Sequence, residues 1–213
     1  MTCCLSEVCL SNRRVYTEIL QQLHVVNNFS QDFQGRTDIL ERIRNYVQGS
    51  SKQPLVLWGD GGCGKSSMLA KIASDSTSWF TSKTCTPIRL VRFLGTTPDS
   101  SSIGPLLRSV CQQISFLYQV PDNNIPLELS QLINHFKKLL EKATTDKPLC
   151  MFFDSLDQLS SADGAHSMSW MPPTLPNHVK FVREKKSFSL FCIRMIHLRK
   201  FRSFQRYLEY SIY

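Results

Sequence analysis

The octapeptide Gly-Asp-Gly-Gly-Cys-Gly-Lys-Ser at residues 59–66 constrains the fold of this chain more than any other stretch. It fits the pattern G-x-x-x-x-G-K-[S/T], which indicates a phosphate-binding loop only when a strand precedes it and a helix follows. The apolar run 54–58 is typical of that strand, and residues 67–73 have the composition of a helix. Because a strand and a helix are both predicted beside it, a phosphate-binding loop is favoured over the alternative of a glycine-rich turn that happens to contain Lys-Ser.

The residue types in this loop suit a phosphate group. Its four glycines let successive backbone N–H groups turn inward with no Cβ in the way, and the start of the next helix adds free N–H groups and a positive dipole end. Lys65 supplies a mobile cation for the β and γ phosphates, and the Ser66 hydroxyl is a ligand for Mg²⁺. We therefore predict a site for ATP (or ADP) with Mg²⁺. Its predicted nucleotide-binding residues are Gly59, Asp60, Gly61, Gly62, Cys63, Gly64, Lys65, Ser66 and Ser67.

Composition indicates one globular domain, with room for a tail. The chain has 213 residues, 42% of them hydrophobic, which is enough for a substantial core. No stretch approaches the ~20 apolar residues of a membrane span, and the N-terminus lacks the basic and apolar regions of a secretory signal. We expect a cytoplasmic protein that has no membrane partner.

Eight cysteines are scattered along the chain without a C-x-x-C pair or a histidine cluster at zinc spacing. In a cytoplasmic chain such cysteines are usually reduced and buried as small hydrophobic residues. Acylation or metal binding by Cys3, Cys4 and Cys9 is the alternative, but the helix or spacing context for either is missing.

The net charge of +8 is concentrated near the C-terminus. Residues 180–213 carry nine basic and two acidic side chains, whereas residues 1–179 carry sixteen basic and fifteen acidic ones. The body is therefore nearly neutral, and the charge does not indicate a nucleic-acid-binding protein. The basic end is also rich in Phe and Tyr, a composition found where proteins bind single strands or anionic lipid. The spacing of its apolar residues fits neither an amphipathic helix nor an alternating strand. This favours the interpretation that the basic end is an extension that is not under selection.

Apolar spacing predicts alternating helices and strands around the loop. Helical periodicity predicts amphipathic helices over 13–27, 38–47, 103–117 and 129–143. Apolar runs predict strands at 54–58, 88–94 and 149–154, with a further strand starting at 179–182. This alternation is typical of a parallel α/β sheet. We predict the three-layer P-loop NTPase fold, in an incomplete form, with N-terminal helices and an irregular basic C-terminal tail.

Asp154 ends the predicted third strand, 89 positions after Lys65. P-loop enzymes complete the Mg²⁺ shell with an aspartate at the end of a buried strand beside the loop, so Ser66 and Asp154 are the predicted metal ligands. The alternative is an ordinary acid at a strand end.

Asp157, three residues further on, is the candidate catalytic residue. It has the position to orient the attacking water or to reach the metal through a water molecule; the alternative is a solvated acid on a loop. Ser155 stands directly after Asp154, where many efficient ATPases have a second acid, and this favours slow turnover.

The phosphate loop, the upstream Phe-x-Gly-Arg at 33–36 and the strand that ends Asp-Ser-Leu-Asp-Gln-Leu together resemble the NACHT class of signal-transduction NTPases. The stretches 92–97, 154–166 and 170–179 resemble in particular those NACHT proteins that carry WD repeats. The resemblance covers roughly residues 15–180. It implies a nucleotide-switched STAND-type module that associates with itself or with protein partners, and it implies that Gly35 and Arg36 lie near the base or the phosphates.

The sequence departs from the NACHT pattern after Val182. No WD-type repeat occurs, and the neutral body changes to the basic, aromatic end at about the same point. We therefore expect a lead-in helix at 1–30, a partial NACHT domain at 31–182 and a tail at 183–213 that is not native to the fold, as in a truncated isoform.

Three functions are compatible with these features. The first is an ATP-binding switch module with slow or no hydrolysis, and the second is a truncated, non-enzymatic form that acts only through interactions. The third, a small P-loop kinase, requires a cationic lid over the transferred phosphate, and no compact arginine-rich lid lies between the second and third predicted strands.

Overall fold

The computed structural model of the protein describes residues 3–31, 33–80, 84–95, 102–121, 125–185 and 194–198. The described part contains five helices, five strands and three short 3₁₀ segments. In chain order the helices and strands are α1 (Cys3–Gln31), α2 (Thr37–Gln48), β1 (Leu55–Trp58), α3 (Lys65–Asp75), β2 (Ile88–Phe93), α4 (Ile103–Tyr118), α5 (Leu129–Leu140), β3 (Leu149–Asp154), β4 (Val179–Lys185) and β5 (Arg194–His197). The 3₁₀ segments are Ser76–Trp79, Leu156–Gln158 and Ala162–Ser167.

The five strands form one sheet in the order β2-β3-β4-β1-β5, and every pair of neighbours is parallel. The strand with the phosphate loop, β1, therefore lies between β4 and β5, with Leu55 opposite both Val182 and Arg194. All carboxyl ends meet at one edge of a parallel sheet, so the loop after β1 and the acids after β3 lie at the same edge.

Helices cover both faces, as a sheet with apolar residues on both sides requires. On one face α2 and α3 pack against β1, β3 and β4 through side chains that are nearly inaccessible to solvent, including Ile43, Leu57, Met68, Phe152 and Val182. On the other face α4 and α5 pack against β2, β3 and β4 through a second set, including Leu107, Phe136, Phe153, Trp170 and Phe181. The predicted α/β P-loop fold with a parallel sheet is confirmed.

The N-terminal helix α1 closes the free edge of the sheet at β2. The backbone N–H of Phe93, which points away from β3, donates to the buried Gln22 side chain at 2.7 Å. Arg92, itself 1% exposed, places Nε 3.1 Å from a carboxylate oxygen of Glu18. An open strand edge is a site of unwanted pairing, so α1 belongs to the body of the fold.

The structure differs from the predicted start of the tail at residue 183. Strand β4 continues through Lys185, and β5 adds residues 194–197 to the sheet on the outer side of β1. Residues 186–193 and 199–213 lie outside the described part of the chain, and the domain boundaries as a whole stay a prediction.

The helices within the described ranges are all too short or too polar to traverse a lipid bilayer.

Candidate nucleotide-binding site

The loop between β1 and α3 has the backbone that the glycine pattern predicts. Gly62 and Gly64 have φ values of +73° and +81°, a region that side-chain-bearing residues rarely adopt. Helix α3 begins at Lys65, directly after Gly64, so Ser66 and Ser67 lie in its first turn, where N–H groups have no partner within the helix. This is the arrangement that receives an anion.

Gly59, the first loop residue, lies against the end of β5. A Cβ at this position would collide with the carbonyl oxygen of Leu198 and lie 2.8 Å from the sulfur of Cys63. The N–H of Leu198 in turn donates to the carbonyl oxygen of Trp58 at 2.7 Å. Part of the segment predicted to be foreign to the fold therefore supports the phosphate loop.

Lys65 is buried, with 7% of its surface exposed, and its ammonium group lies inside the loop. Nζ donates to the carbonyl oxygens of Gly59 at 2.8 Å and Asp60 at 3.0 Å. It also lies 3.7 Å from a carboxylate oxygen of Glu184, which is 4% exposed. The ammonium group of Lys65 is therefore already at the position where phosphates would bind.

The two predicted metal ligands, Ser66 and Asp154, are in direct contact. The Ser66 hydroxyl donates to Oδ2 of Asp154 at 2.8 Å, and Ser155 Oγ donates to the same oxygen at 3.1 Å. Asp154 is 3% exposed, and burial raises the pKa of its carboxyl group, although these hydrogen bonds and the charge of Lys65 act in the opposite direction.

The other oxygen of this carboxylate indicates that the pair fits a metal. Oδ1 of Asp154 is buried and has no hydrogen-bond partner in the described part of the chain. A buried carboxylate oxygen normally has a partner, and an oxygen beside a serine hydroxyl suits Mg²⁺, which uses one or two protein ligands and several waters. The described residues contain no group of three or more His, Cys, Asp or Glu side chains at metal-binding distances, which is compatible with such a sparse site.

Asp157 lies beside this pair but nearer to solvent. Ser155 adopts a φ of +55°, which turns the chain out of β3 and into the 3₁₀ segment Leu156–Gln158. Asp157 lines a cavity of about 260 Å³ that Glu184 and His166 also line. Its negative charge adds to the upward shift of the Asp154 pKa. Its catalytic role stays a prediction.

Arg36 lies against the phosphate loop at Gly64. It precedes α2 in a left-handed conformation, with a φ of +54°. Its Nη1 atom is buried, 3.9 Å from where a Cβ on Gly64 would lie. A Cβ at residue 64 would be in ordinary van der Waals contact with the guanidinium group. The structure thus brings Arg36 to the loop, and the contact of Gly35 and Arg36 with the base or the phosphates stays a prediction.

Glu184 was missed by the sequence analysis. The predicted strand ended at Val182, so Glu184 was assigned to the tail, although the rule that selected Asp154, an acid at the end of a buried strand, applies to it as well. The signal was weaker than at Asp154, because residues 179–184, Val-Lys-Phe-Val-Arg-Glu, include two basic side chains before the acid.

Four cysteines in the described part of the chain are free thiols: Cys63, Cys85, Cys111 and Cys150. Three are buried, as predicted, and Cys85 is half-buried. Burial raises the pKa of Cys150 to about 12, so this thiol is protonated and chemically inert at neutral pH.

Comparison with known proteins agrees with this geometry. The human NACHT and WD repeat domain-containing protein 2 is 33% identical to the chain over 174 residues, which is 79% of this chain and 10% of that protein. The human NACHT domain- and WD repeat-containing protein 1 is 30% identical over 175 residues, covering 79% and 11%. The chain thus spans about a tenth of the length of these relatives, and its resemblance to NACHT proteins with WD repeats is confirmed.

A solved structure shares the fold. The ORC1 protein of Aeropyrum pernix, solved in complex with DNA, superposes with a TM-score of 0.56 over 84% of this chain and 50% of that protein, at 12% identity. The AAA ATPase domain family matches residues 32–182. That match runs from the Phe-x-Gly-Arg segment through the loop and Asp154 into β4, and the chain therefore belongs to the AAA ATPase domain family.

Proposed function

We propose that this chain is the ATP-binding module of a NACHT-type, nucleotide-switched signalling or scaffold protein, with slow or no hydrolysis. The observation that carries the proposal is the hydrogen bond between Ser66 and Asp154, with the unpartnered Oδ1 atom beside it. It joins the start of α3 to the end of β3 at the place where a metal-bound triphosphate would lie.

In this proposal each residue of the site has a role in binding the nucleotide or its metal. The N–H groups of residues 61–66 and the start of α3 receive the β-phosphate. Lys65 turns from the loop carbonyls to the phosphates, and Arg36 adds positive charge beside Gly64. Ser66 and Asp154 would hold Mg²⁺, which would supply positive charge to the phosphates.

Slow turnover is supported by the groups that follow Asp154. Ser155 donates its hydroxyl to Asp154 and supplies no second carboxylate. Asp157 is the remaining candidate to orient a water molecule, and it lies on an exposed 3₁₀ turn. General-base catalysis requires a group held within hydrogen-bond reach of the attacking water, and an exposed turn holds such a group poorly.

The second candidate function is an interaction module without nucleotide. It is favoured by the outer face of α1, where Tyr16, Leu20 and Leu23 are 65%, 50% and 38% exposed at helical spacing. In either function the partners, including self-association, are those of the longer NACHT proteins that the chain resembles.

Titration of a fluorescent ATP analogue in the presence of Mg²⁺ separates the two functions. We expect the wild type to bind and Lys65→Ala to lose at least about tenfold in affinity, because the main cation at the phosphates is gone. Lys71→Ala is the matched control: it removes a lysine from the same helix, where Lys71 pairs with Asp75 on the surface, and its affinity should equal that of the wild type. Absence of binding by the folded wild type would refute the ATP-binding function and favour the interaction module.

A further inference from the structure

A cavity of about 510 Å³ lies at the amino ends of the strands, at the edge of the sheet opposite the phosphate loop. Its lining residues come from the segments that lead into four of the strands, including Lys52 before β1, Cys85 before β2, Pro148 before β3 and Val179 at the start of β4. Its volume is typical of a site for a small molecule. None of the predicted nucleotide or metal ligands lines it, so the cavity is a separate candidate site.

The interior of this cavity is apolar and aromatic. Val47, Trp79, Pro148 and Val179 line it and are buried. The half-buried ring of Phe80 adds a second aromatic side chain to the wall. Aromatic rings pack well against other flat rings, in stacked or edge-to-face arrangements. The interior therefore suits a flat, apolar ligand.

The mouth of the cavity is polar and carries positive charge. Ser50, Lys52, Thr145 and His178 line the cavity and are exposed. The Nε2 atom of His178 lies 3.4 Å from the Thr145 hydroxyl oxygen. Hydroxyl, ammonium and imidazole groups donate hydrogen bonds to a carboxylate, and a lysine also balances its charge. The mouth therefore suits an anionic group at one end of the ligand.

Negative charge is absent from the described part of this lining. No Asp or Glu is among the described residues that line the cavity. Burial, together with the charge of Asp146, raises the pKa of Cys85, so this thiol is protonated at neutral pH. Asp146 itself is not one of the lining residues. An anionic ligand would thus meet no carboxylate or thiolate from these residues.

Hydrogen bonds from side chains to the backbone hold the lining in place. Lys180 is 7% exposed, and its Nζ atom donates to the carbonyl oxygens of Gly49 at 2.5 Å and Ser51 at 2.7 Å. The Gln48 side chain donates to the carbonyl oxygen of Trp79 at 2.5 Å. These bonds join the segment before β1 to β4 and to the aromatic wall. A wall that is already ordered lowers the entropic cost of binding a ligand.

We propose that this cavity binds a small aromatic carboxylate, with its ring among the buried apolar residues and its carboxylate group beside Lys52 and His178 at the mouth. The site is independent of the proposed nucleotide-binding function, because the two lie at opposite edges of the sheet. An uncharged ligand of the same shape gains the burial of the ring but lacks the charge-assisted hydrogen bonds, so it binds more weakly.

The test is calorimetric titration of the folded whole chain at pH 7 with 2-naphthoate and with its uncharged counterpart 2-naphthamide. We expect 2-naphthoate to bind at one site per chain and at least about fivefold more tightly than 2-naphthamide. Lys65→Ala, which changes the phosphate loop, should bind 2-naphthoate with the wild-type affinity.

Three variants locate the probe and its charge. Lys52→Gln removes the charge at the mouth and should weaken 2-naphthoate about fivefold while leaving the affinity for 2-naphthamide unchanged. Lys138→Gln is the matched control, since Lys138 is exposed on α5, on the other side of the sheet from α2 and α3, and both affinities should equal those of the wild type. Ser50→Trp places a large side chain at the mouth and should abolish the binding of both probes. Thermal unfolding shows that each variant is folded.

Four results would overturn the proposal. The first is no binding of 2-naphthoate by the folded wild type. The second is loss of binding in folded Lys65→Ala, which would place the probe in the nucleotide site. The third is unchanged binding in Ser50→Trp, which would place the probe elsewhere on the surface. The fourth is an unchanged affinity of Lys52→Gln for 2-naphthoate, which would show that the mouth does not recognise a carboxylate. In each case the nucleotide-binding function stands or falls by its own titration.

Discussion

At the residue scale, the carboxyl group of Asp154 is held by two serine hydroxyls at the end of an apolar strand. One of its oxygens accepts from Ser66 and Ser155, and the other has no partner in the described part of the chain. Since burial raises the pKa of this group, its ionised form at neutral pH destabilises the folded chain until a cation balances it. The neutral form of Asp154 therefore favours the stability of the folded chain, whereas its ionised form is the one that binds a metal.

Asp154→Asn should separate the effect of this side chain on stability from its effect on metal binding. We expect the affinity for ATP in the presence of Mg²⁺ to fall about tenfold, which corresponds to about 1.4 kcal/mol, because an amide is a weaker magnesium ligand than a carboxylate. In EDTA the variant should bind ATP at least as well as the wild type, and its melting temperature should not fall. Titrations with and without Mg²⁺, together with thermal unfolding, check this. An equal loss of affinity in both conditions would show that Asp154 does not act through a metal.

At the scale of secondary-structure elements, α1 stabilises the edge strand β2 through polar side chains. Arg92 contacts Glu18, donates to Ser109 Oγ at 3.0 Å and donates to the carbonyl oxygen of Val91 at 2.8 Å. Burial lowers the pKa of the Arg92 guanidinium, and the Glu18 carboxylate offsets part of this shift. Ser109 also donates to Glu18. These contacts join α1, β2 and α4, so α1 is expected to unfold together with the domain.

Glu18→Gln tests this coupling. We expect it to lower the free energy of unfolding by about 2 kcal/mol, because Arg92 stays buried while its charged partner is lost. Denaturant unfolding gives the value. Glu41→Gln on the exposed side of α2 is the charge-matched control and should change stability by less than about 0.5 kcal/mol. Equal stability of the two variants would mean that α1 does not depend on this ion pair.

The same helix shows what apolar periodicity can and cannot predict. Within the predicted helix 13–27, the spacing of the apolar residues predicts one buried face, formed by Val15, Ile19, Leu23 and Val26. Val15 and Val26 are indeed buried, but Leu23 is 38% exposed, and the polar Gln22 takes a buried position. Gln22 is buried because its amide oxygen accepts the N–H of Phe93 at the sheet edge. The local hydrophobicity pattern cannot predict the burial of Gln22, because its hydrogen-bond partner lies on a strand 71 residues away.

At the scale of the whole molecule, the phosphate loop, its flanking strand and helix, and Asp154 were predictable because each follows a local pattern with a physical reason. The fold class followed from the alternation of helices and strands. The strand order was not predicted, because it depends on pairing between distant segments. Without that order, the last strand beside β1 and the contact of Glu184 with Lys65 could not be inferred.

The strand order also explains why the basic region contributes to the site. With β4 on one side of β1 and β5 on the other, two residues of the predicted tail reach the loop. Glu184 contacts Lys65, and Leu198 packs on Gly59. The phosphate loop is thus supported by two residues, Glu184 and Leu198, that follow it by more than 115 positions in the sequence.

Hydrogen–deuterium exchange of the whole chain, with and without Mg-ATP, tests the central claim most directly. Binding at the predicted site should slow exchange of the amides at 61–67 and at the end of β3, because phosphate oxygens accept from the loop and the metal joins the loop to Asp154. Amides of α5, on the opposite face of the sheet, serve as the internal reference and should not change. Unchanged exchange at 61–67 at saturating Mg-ATP, or protection confined to another region, would contradict the account.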